Sequence, residues 1–166
     1  TRVNYVNNLS SIINVGYSLK ENTSQALTSR NYQVNVQKIQ HQLLWIYRSS
    51  FRIEQSIKLD KIRNTIGLQE RATVNNNSVE ITYNQSSKRN IRAKVEWIAI
   101  DYTGQRNTAL EFILLEGLTT GKNFIWGIQF DQRITANTQL SFTYDARKSE
   151  ATRALHNIKA QIRATF

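Results

Sequence analysis

Apolar residues recur at every second position along most of this chain. Val3, Tyr5, Leu9, Ile13, Val15, Tyr17 and Leu19 all fall on odd numbers. Their even neighbours are mostly Arg2, Asn4, Asn8, Ser10, Asn14, Ser18 and Lys20, with Val6 and Ile12 as exceptions. The same alternation sets Phe51, Ile53, Ile57 and Leu59 against Arg52, Glu54, Ser56, Lys58 and Asp60. It returns in Phe124, Trp126, Ile128 and Phe130, then in Leu140, Phe142, Tyr144 and Ala146, and last in Ile158, Ala160, Ile162, Ala164 and Phe166. A period of two collects these residues on one face of a strand. At about 3.6 residues per turn, the apolar positions of 156–166 would instead scatter around a helix. The pattern predicts strands over 3–20, 31–47, 51–62, 72–84, 89–102, 108–115, 123–134, 138–147 and 156–166, with 61–71 as a candidate extension and no helix. Apart from Asn75-Asn76-Asn77 there is no low-complexity stretch, linker or repeat, so 1–166 reads as one all-β domain.

Two architectures hide one face of such strands. A soluble sandwich or small barrel turns the apolar face inward, over strands averaging about five or six residues. An outer-membrane barrel turns it towards lipid and keeps polar residues inside. The predicted strands are long, and their polar faces carry charges in series: Arg52, Glu54, Lys58 and Asp60, then Arg92, Lys94 and Glu96, with Lys159 and Arg163 in the last strand. Aromatics fall towards strand ends at Tyr47, Phe51, Tyr83, Tyr102 and Phe166, as interfacial girdles require. If the last strand descends to the periplasm, alternation puts 134–138 and 103–107 on the periplasmic side as short turns. The links 116–122 and 147–155 then face outside, and 21–30 becomes an unusually long periplasmic turn. The expectation is an antiparallel transmembrane β-barrel with about eight or nine strands in this segment, or part of a larger barrel. A basic soluble β-sandwich or small-barrel binding module is the alternative.

Composition narrows the chemistry. The 166 residues include no Cys, Met or Pro, which removes disulfides, thiolate metal sites and a cysteine nucleophile. The longest apolar run, Leu43 to Tyr47, is far shorter than the roughly 20 residues of a membrane helix. The chain opens Thr1-Arg2-Val3 without a methionine or leader pattern, which reads as a processed protein or a piece of a longer one, the piece being the favoured expectation. Its net charge of +10 raises nucleic acid, with Lys88, Arg89, Arg92 and Lys94 near Trp97, but no recognition motif accompanies the charge. Those cations are expected to pair with Glu80 and Glu96 or with lipopolysaccharide phosphates, and no nucleic acid is expected. His41 and His156 lack metal-ligand spacing and read as structural. A catalytic site would need His156 to converge with Asp145, Ser149 or Glu150. No catalytic, cofactor-binding or metal residue is assigned, and no enzyme activity is expected. Gly117 to Lys122 lacks the spacing of a phosphate loop and reads as a turn.

The C-terminal part carries more specific wording. Leu115 to Trp126 reads LEGL-x-x-GKN-x-x-W, and Tyr144 to Ser149 follows Y-x-GRKS with Ala146 in place of the Gly. His156 then precedes the ending Arg163-Ala164-Thr165-Phe166. Over about 105–166 this resembles the C-terminal end of large outer-membrane β-barrel proteins of Bacteroidota. The resemblance implies a Gram-negative outer-membrane location and insertion by the barrel-assembly machinery, which would read Ile158, Ala160, Ile162, Ala164 and Phe166. It brings no cofactor, substrate or ligand residue. The implied role is structural or transport-like, a channel wall whose basic lumen favours anions or holds a plug, with a partner lipoprotein left open. Phe124, Trp126, Ile128, Phe130, Leu140, Phe142, Tyr144, Ile158, Ile162 and Phe166 are the expected lipid contacts.

Overall fold

A computed structural model describes residues 1–6, 8–23, 31–66, 69–86, 88–150 and 152–165. Nine strands follow one another: β1 (Arg2–Val6), β2 (Leu9–Asn22), β3 (Tyr32–Tyr47), β4 (Phe51–Asn64), β5 (Arg71–Gln85), β6 (Arg89–Thr103), β7 (Gly121–Arg133), β8 (Thr138–Ser149) and β9 (Leu155–Ala164). One short helix, α1 (Ala109–Leu114), interrupts them between β6 and β7. Each strand pairs antiparallel with its neighbours in the chain, giving a nine-stranded meander in strict sequence order. β1 and β9 form no ladder with each other, so the sheet is open rather than closed into a barrel.

Two expectations are corrected. The run predicted as one strand over 3–20 is the hairpin β1–β2. Val6 pairs with Leu9 beside the turn, and a register shift between Asn4 and Val6 then sets Val3 opposite Ser11 and Arg2 opposite Ile12, odd against odd and even against even. With that shift the period of two continues on both sides of the turn and cannot report it. The run 108–115 is helical rather than extended, and the expectation of no helix fails there. Thr108 is the N-cap, its hydroxyl accepting from the Glu111 amide at 3.1 Å, while Glu111 Oε2 accepts in return from the Asn107 amide. The Thr108 hydroxyl satisfies an amide that a helix start leaves unpaired, and the Glu111 carboxylate ties down the residue before the cap. Positive φ at Glu116 and Gly117 (54° and 77°) then ends the helix, with the Gly117 amide donating to Phe112 O at 3.0 Å.

Removing that strand changes the sidedness. Links 7–8, 48–50, 86–88 and 134–137 share one end of the sheet, and links 23–31, 65–70, 104–120 and 150–154 share the other. The segment 103–107 thus begins a long link and is not a short turn beside 134–138. The long link expected on the short-turn side now groups with the other long ones, although 24–30 itself lies outside the described residues.

The core lies on one face at the long-loop end. Leu114 and Leu115 bury against Val34 and Val36 of β3, Ala72 of β5, and Ile98, Ile100 and Tyr102 of β6. Tyr102 is consequently part of this core and not of an outward aromatic girdle. Its hydroxyl donates to Gln105 O at 3.2 Å, tying the start of the link to the sheet.

Candidate functional site

The register divides the strands into two faces of opposite chemistry. The face that carries α1 will be called inner. Across β3 to β6 it presents Gln42, Ser56, Ser78 and Glu96 in one row, and Leu44, Glu54, Glu80 and Lys94 in the next. Glu54 and Glu80 stand directly opposite, a pairing that repels unless cations sit beside it. They do: Arg52 pairs with Glu54, and Arg92 Nε lies 3.5 Å from Glu80. Lys58 pairs with Asp60 at 2.8 Å and Lys94 with Glu96 at 2.9 Å. Neutral side chains complete the ladder, with Gln42 Nε2 donating to Glu54 at 3.1 Å and Asn76 Nδ2 to Glu96 at 2.9 Å.

Every charge expected to face the interior lies on this inner face. Seven of the nine enter the ion-pair ladder: Arg52, Glu54, Lys58, Asp60, Arg92, Lys94 and Glu96. Lys159 and Arg163 stand apart on β9, opposite Thr143 and Gln139, and join no ion pair among the described residues. Within each pair the two signs are not equally presented. The Arg92 side chain is 52% exposed against 28% for Glu80, and Lys58 33% against 9% for Asp60. Short carboxylates stay near the backbone while long cations reach outward from it. A depression of about 310 Å³ follows this ladder between Glu80, Arg92, Lys94, Gln129 and Asp145. A wider one of about 740 Å³ opens at the short-turn end, beside Lys88, Asn90, Asp131 and Arg133. At the other end α1 covers the face.

The opposite, outer face is apolar and bare. Val15 is 77% exposed, Ile162 70% and Ile158 65%. One row of direct partners across β3 to β9 reads Tyr47, Phe51, Tyr83, Ile91, Phe130, Phe142 and Ala160, an aromatic line at the short-turn end. A second aromatic group sits further up, with Trp97–Phe124 and Phe124–Trp126 centroids at 5.2 and 4.9 Å. Of the expected lipid contacts, all but Phe166 fall on this face; Phe166 lies outside the described residues. Ile158, Ala160, Ile162 and Ala164 form the outer side of β9.

The apolar belt runs obliquely to the hydrogen-bonded rows. Its last residue towards the long-loop end is Leu19 on β2 and Ile158 on β9. The row through Ile158 passes Tyr144, Ile128, Ala93, Ile81, Ile53 and Trp45 and meets β2 at Leu9, ten residues below Leu19. β5 dips below the line, where Asn75 and Asn77 face outward. Taking about 3.4 Å per residue and about 4.8 Å per strand, the belt inclines about 45° over seven strand spacings. That is the tilt of strands crossing a bilayer.

The candidate chemistry read from loops does not assemble. Asp145 is on the inner face and His156 on the outer, where its ring stacks on Tyr144 and Nδ1 lies 2.9 Å from the tyrosine hydroxyl. Ser149 donates to Asn123 Oδ1 at 2.6 Å, and Glu150 accepts from the Lys122 amide at 3.1 Å. His41 Nε2 lies 2.8 Å from Ser11 Oγ. The basic run near Trp97 is also dispersed: Lys88 and Arg89 are at a turn, Arg92 and Lys94 face inward, and Trp97 faces outward. Among the described residues no cluster of His, Asp or Glu could hold a metal. The sequence names Glu80 and Glu96 as partners for the cations, and Arg92 and Lys94 do pair with them, whereas its α1 segment reads as a strand although the Thr108-x-x-Glu111 spacing carries the helix signal. No family model, curated protein or solved structure matches the chain.

Proposed function

We propose that this chain forms wall of an outer-membrane β-barrel, with the ion-pair ladder facing a water-filled lumen and the bare apolar face against lipid. One observation carries the reading. The only described segment that folds over the sheet, 104–120, packs on the apolar long-loop end of the face that carries the ion-pair ladder and leaves the other, apolar face open to its surroundings. In water that arrangement is upside down, since a continuous apolar surface of this breadth drives association. In a bilayer it satisfies both sides: lipid meets the belt, and water or protein meets the charges. The 45° obliquity, the division of links into a short-turn and a long-loop end, and the C-terminal resemblance to Bacteroidota barrels support the same conclusion.

On this reading β2 to β9 are the membrane-crossing strands, each of ten or more residues. The free edges of β1 and β9 cannot stay unpaired in hydrocarbon, so further strands of the wall complete them. The outward reach of Arg52, Arg92 and Lys94 makes the lumen favour anions, and segment 104–120 narrows it as an inward-folded plug. Insertion proceeds through the barrel-assembly machinery acting on the last strand.

The three tryptophans of the chain, Trp45, Trp97 and Trp126, all lie on the outer face. After reconstitution, brominated lipid is expected to quench most of the tryptophan emission, with little quenching by aqueous acrylamide. Emission untouched by brominated lipid, from a chain that stays monomeric in plain buffer, identifies a soluble β-module and refutes the membrane reading.

A further inference from the structure

On the outer face, the long-loop ends of β4 and β5 carry three exposed cations, Lys61, Arg63 and Arg71. Arg63 and Arg71 are direct cross-strand partners, and Lys61 sits one outward position below Arg63, opposite Thr73. Like charges set face to face weaken a ladder. Among the described residues none of the three makes an ion pair or a side-chain hydrogen bond. The outward carboxylates on nearby strands, Asp101 opposite Thr73 and Glu21 opposite Gln33, make no ion pair with them. The cations edge a depression of about 450 Å³ that also takes in Tyr17 and Gln37. One outward position below Tyr17, Gln37 and Lys61 runs the apolar row Val15, Ile39 and Leu59.

We infer that this patch binds the phosphorylated headgroup of an outer-leaflet lipid. The inference rests on the membrane reading above. A single carboxylate cannot neutralise three clustered cations, whereas a phosphate brings up to about two charges and several acceptor oxygens that suit the guanidinium fork. The apolar row beneath gives the ligand's chains a surface continuous with the belt, which a free phosphate ion would not use. The patch also sits at the long-loop end, where outer-leaflet headgroups lie in such barrels.

The test uses the full chain reconstituted in phosphatidylcholine vesicles doped with diphosphorylated lipid A. Lipid A retained through exchange against phosphatidylcholine is measured by mass spectrometry. The combined variant Lys61→Gln, Arg63→Gln, Arg71→Gln is expected to lose retention by about a hundredfold, at roughly fivefold per cation. The control Lys88→Gln, Arg89→Gln, at the short-turn end, keeps it. Phosphate-free lipid A is not retained, and millimolar inorganic phosphate does not displace the bound lipid. Undiminished retention by the triple variant, or equal loss in the control, overturns the site. Displacement by inorganic phosphate shows a simple anion site and overturns the lipid assignment. Brominated-lipid quenching in the same vesicles separates the two readings: quenching without lipid A selectivity removes the site alone, and absence of quenching removes both.

Discussion

Charge on the inner face is arranged by side-chain length. Glu54, Asp60, Glu80 and Glu96 stay close to the sheet, held by Arg52, Lys58, Arg92, Lys94 and the amides of Gln42 and Asn76. The ladder counts four cations against four anions, yet the cations are the more exposed partners. If this face lines a lumen as proposed, single-channel recording of the reconstituted protein should give a reversal potential displaced towards the anion. Arg92→Gln with Lys94→Gln should move it towards the cation, since Glu80 and Glu96 would lose the charges beside them. A silent bilayer counts against an open lumen. Leu115, 2% exposed, is the deepest apolar anchor of segment 104–120. Leu115→Ala should cost about 2–5 kcal/mol of local stability. Hydrogen exchange should quicken at the amides of 109–118 while the protection of β3 to β6 persists.

At the scale of elements, β7 carries two faces of different chemistry, which on the proposed reading meet two media. Phe124, Trp126, Ile128 and Phe130 face outward, whereas Asn123, Ile125, Gly127, Gln129 and Asp131 face the inner side. A lysine at Ile128 would point into hydrocarbon and should destabilise the inserted state by about 2–4 kcal/mol, whereas Gln129→Lys should be near neutral. Denaturant unfolding from bilayers reads the difference, and equal costs at the two positions would contradict the assignment of faces. The strand pattern was legible in the sequence because alternation is a local property of each residue. β3 to β9 lie within a few residues of the expected runs wherever a strand was expected. The hairpin at 7–8 was not legible, because pairing Arg2 with Ile12 preserves parity through the reversal. The α1 segment was misread because its six residues are too few to set up a helical period. Its capping residues were the better signal.

At the scale of the molecule, the proposed membrane reading rests on the obliquity of the belt, the clustering of long links at one end and the bare outer face. Insertion is expected to depend on the terminal residue of the alternating run that ends at Phe166. A chain lacking Phe166 should reach the outer membrane in reduced amount, seen as loss of heat-modifiable mobility on gels, and unchanged mobility would refute that role. On the same reading the cations Lys61, Arg63 and Arg71 would meet the headgroup layer, since on β4 and β5 the outward charges lie beyond the apolar belt.

By itself the sequence determined the class of structure and the two-faced chemistry of the strands, because side-chain direction alternates with position whatever lies around the strand. It also grouped the nine strand charges that share one face of the sheet. Tertiary structure alone decided which face is covered. The contact of Leu114 and Leu115 with Val34, Ala72 and Ile100 joins residues up to 81 positions apart, beyond the reach of any local period. The sequence already names Glu80 and Glu96 as partners of the cations, but the β5–β6 register decided that Arg92 reaches Glu80 while Lys94 takes Glu96. The slant of the apolar belt emerges only when all the ladders are laid side by side, because strand-to-strand offset is a property of the sheet and of no single strand.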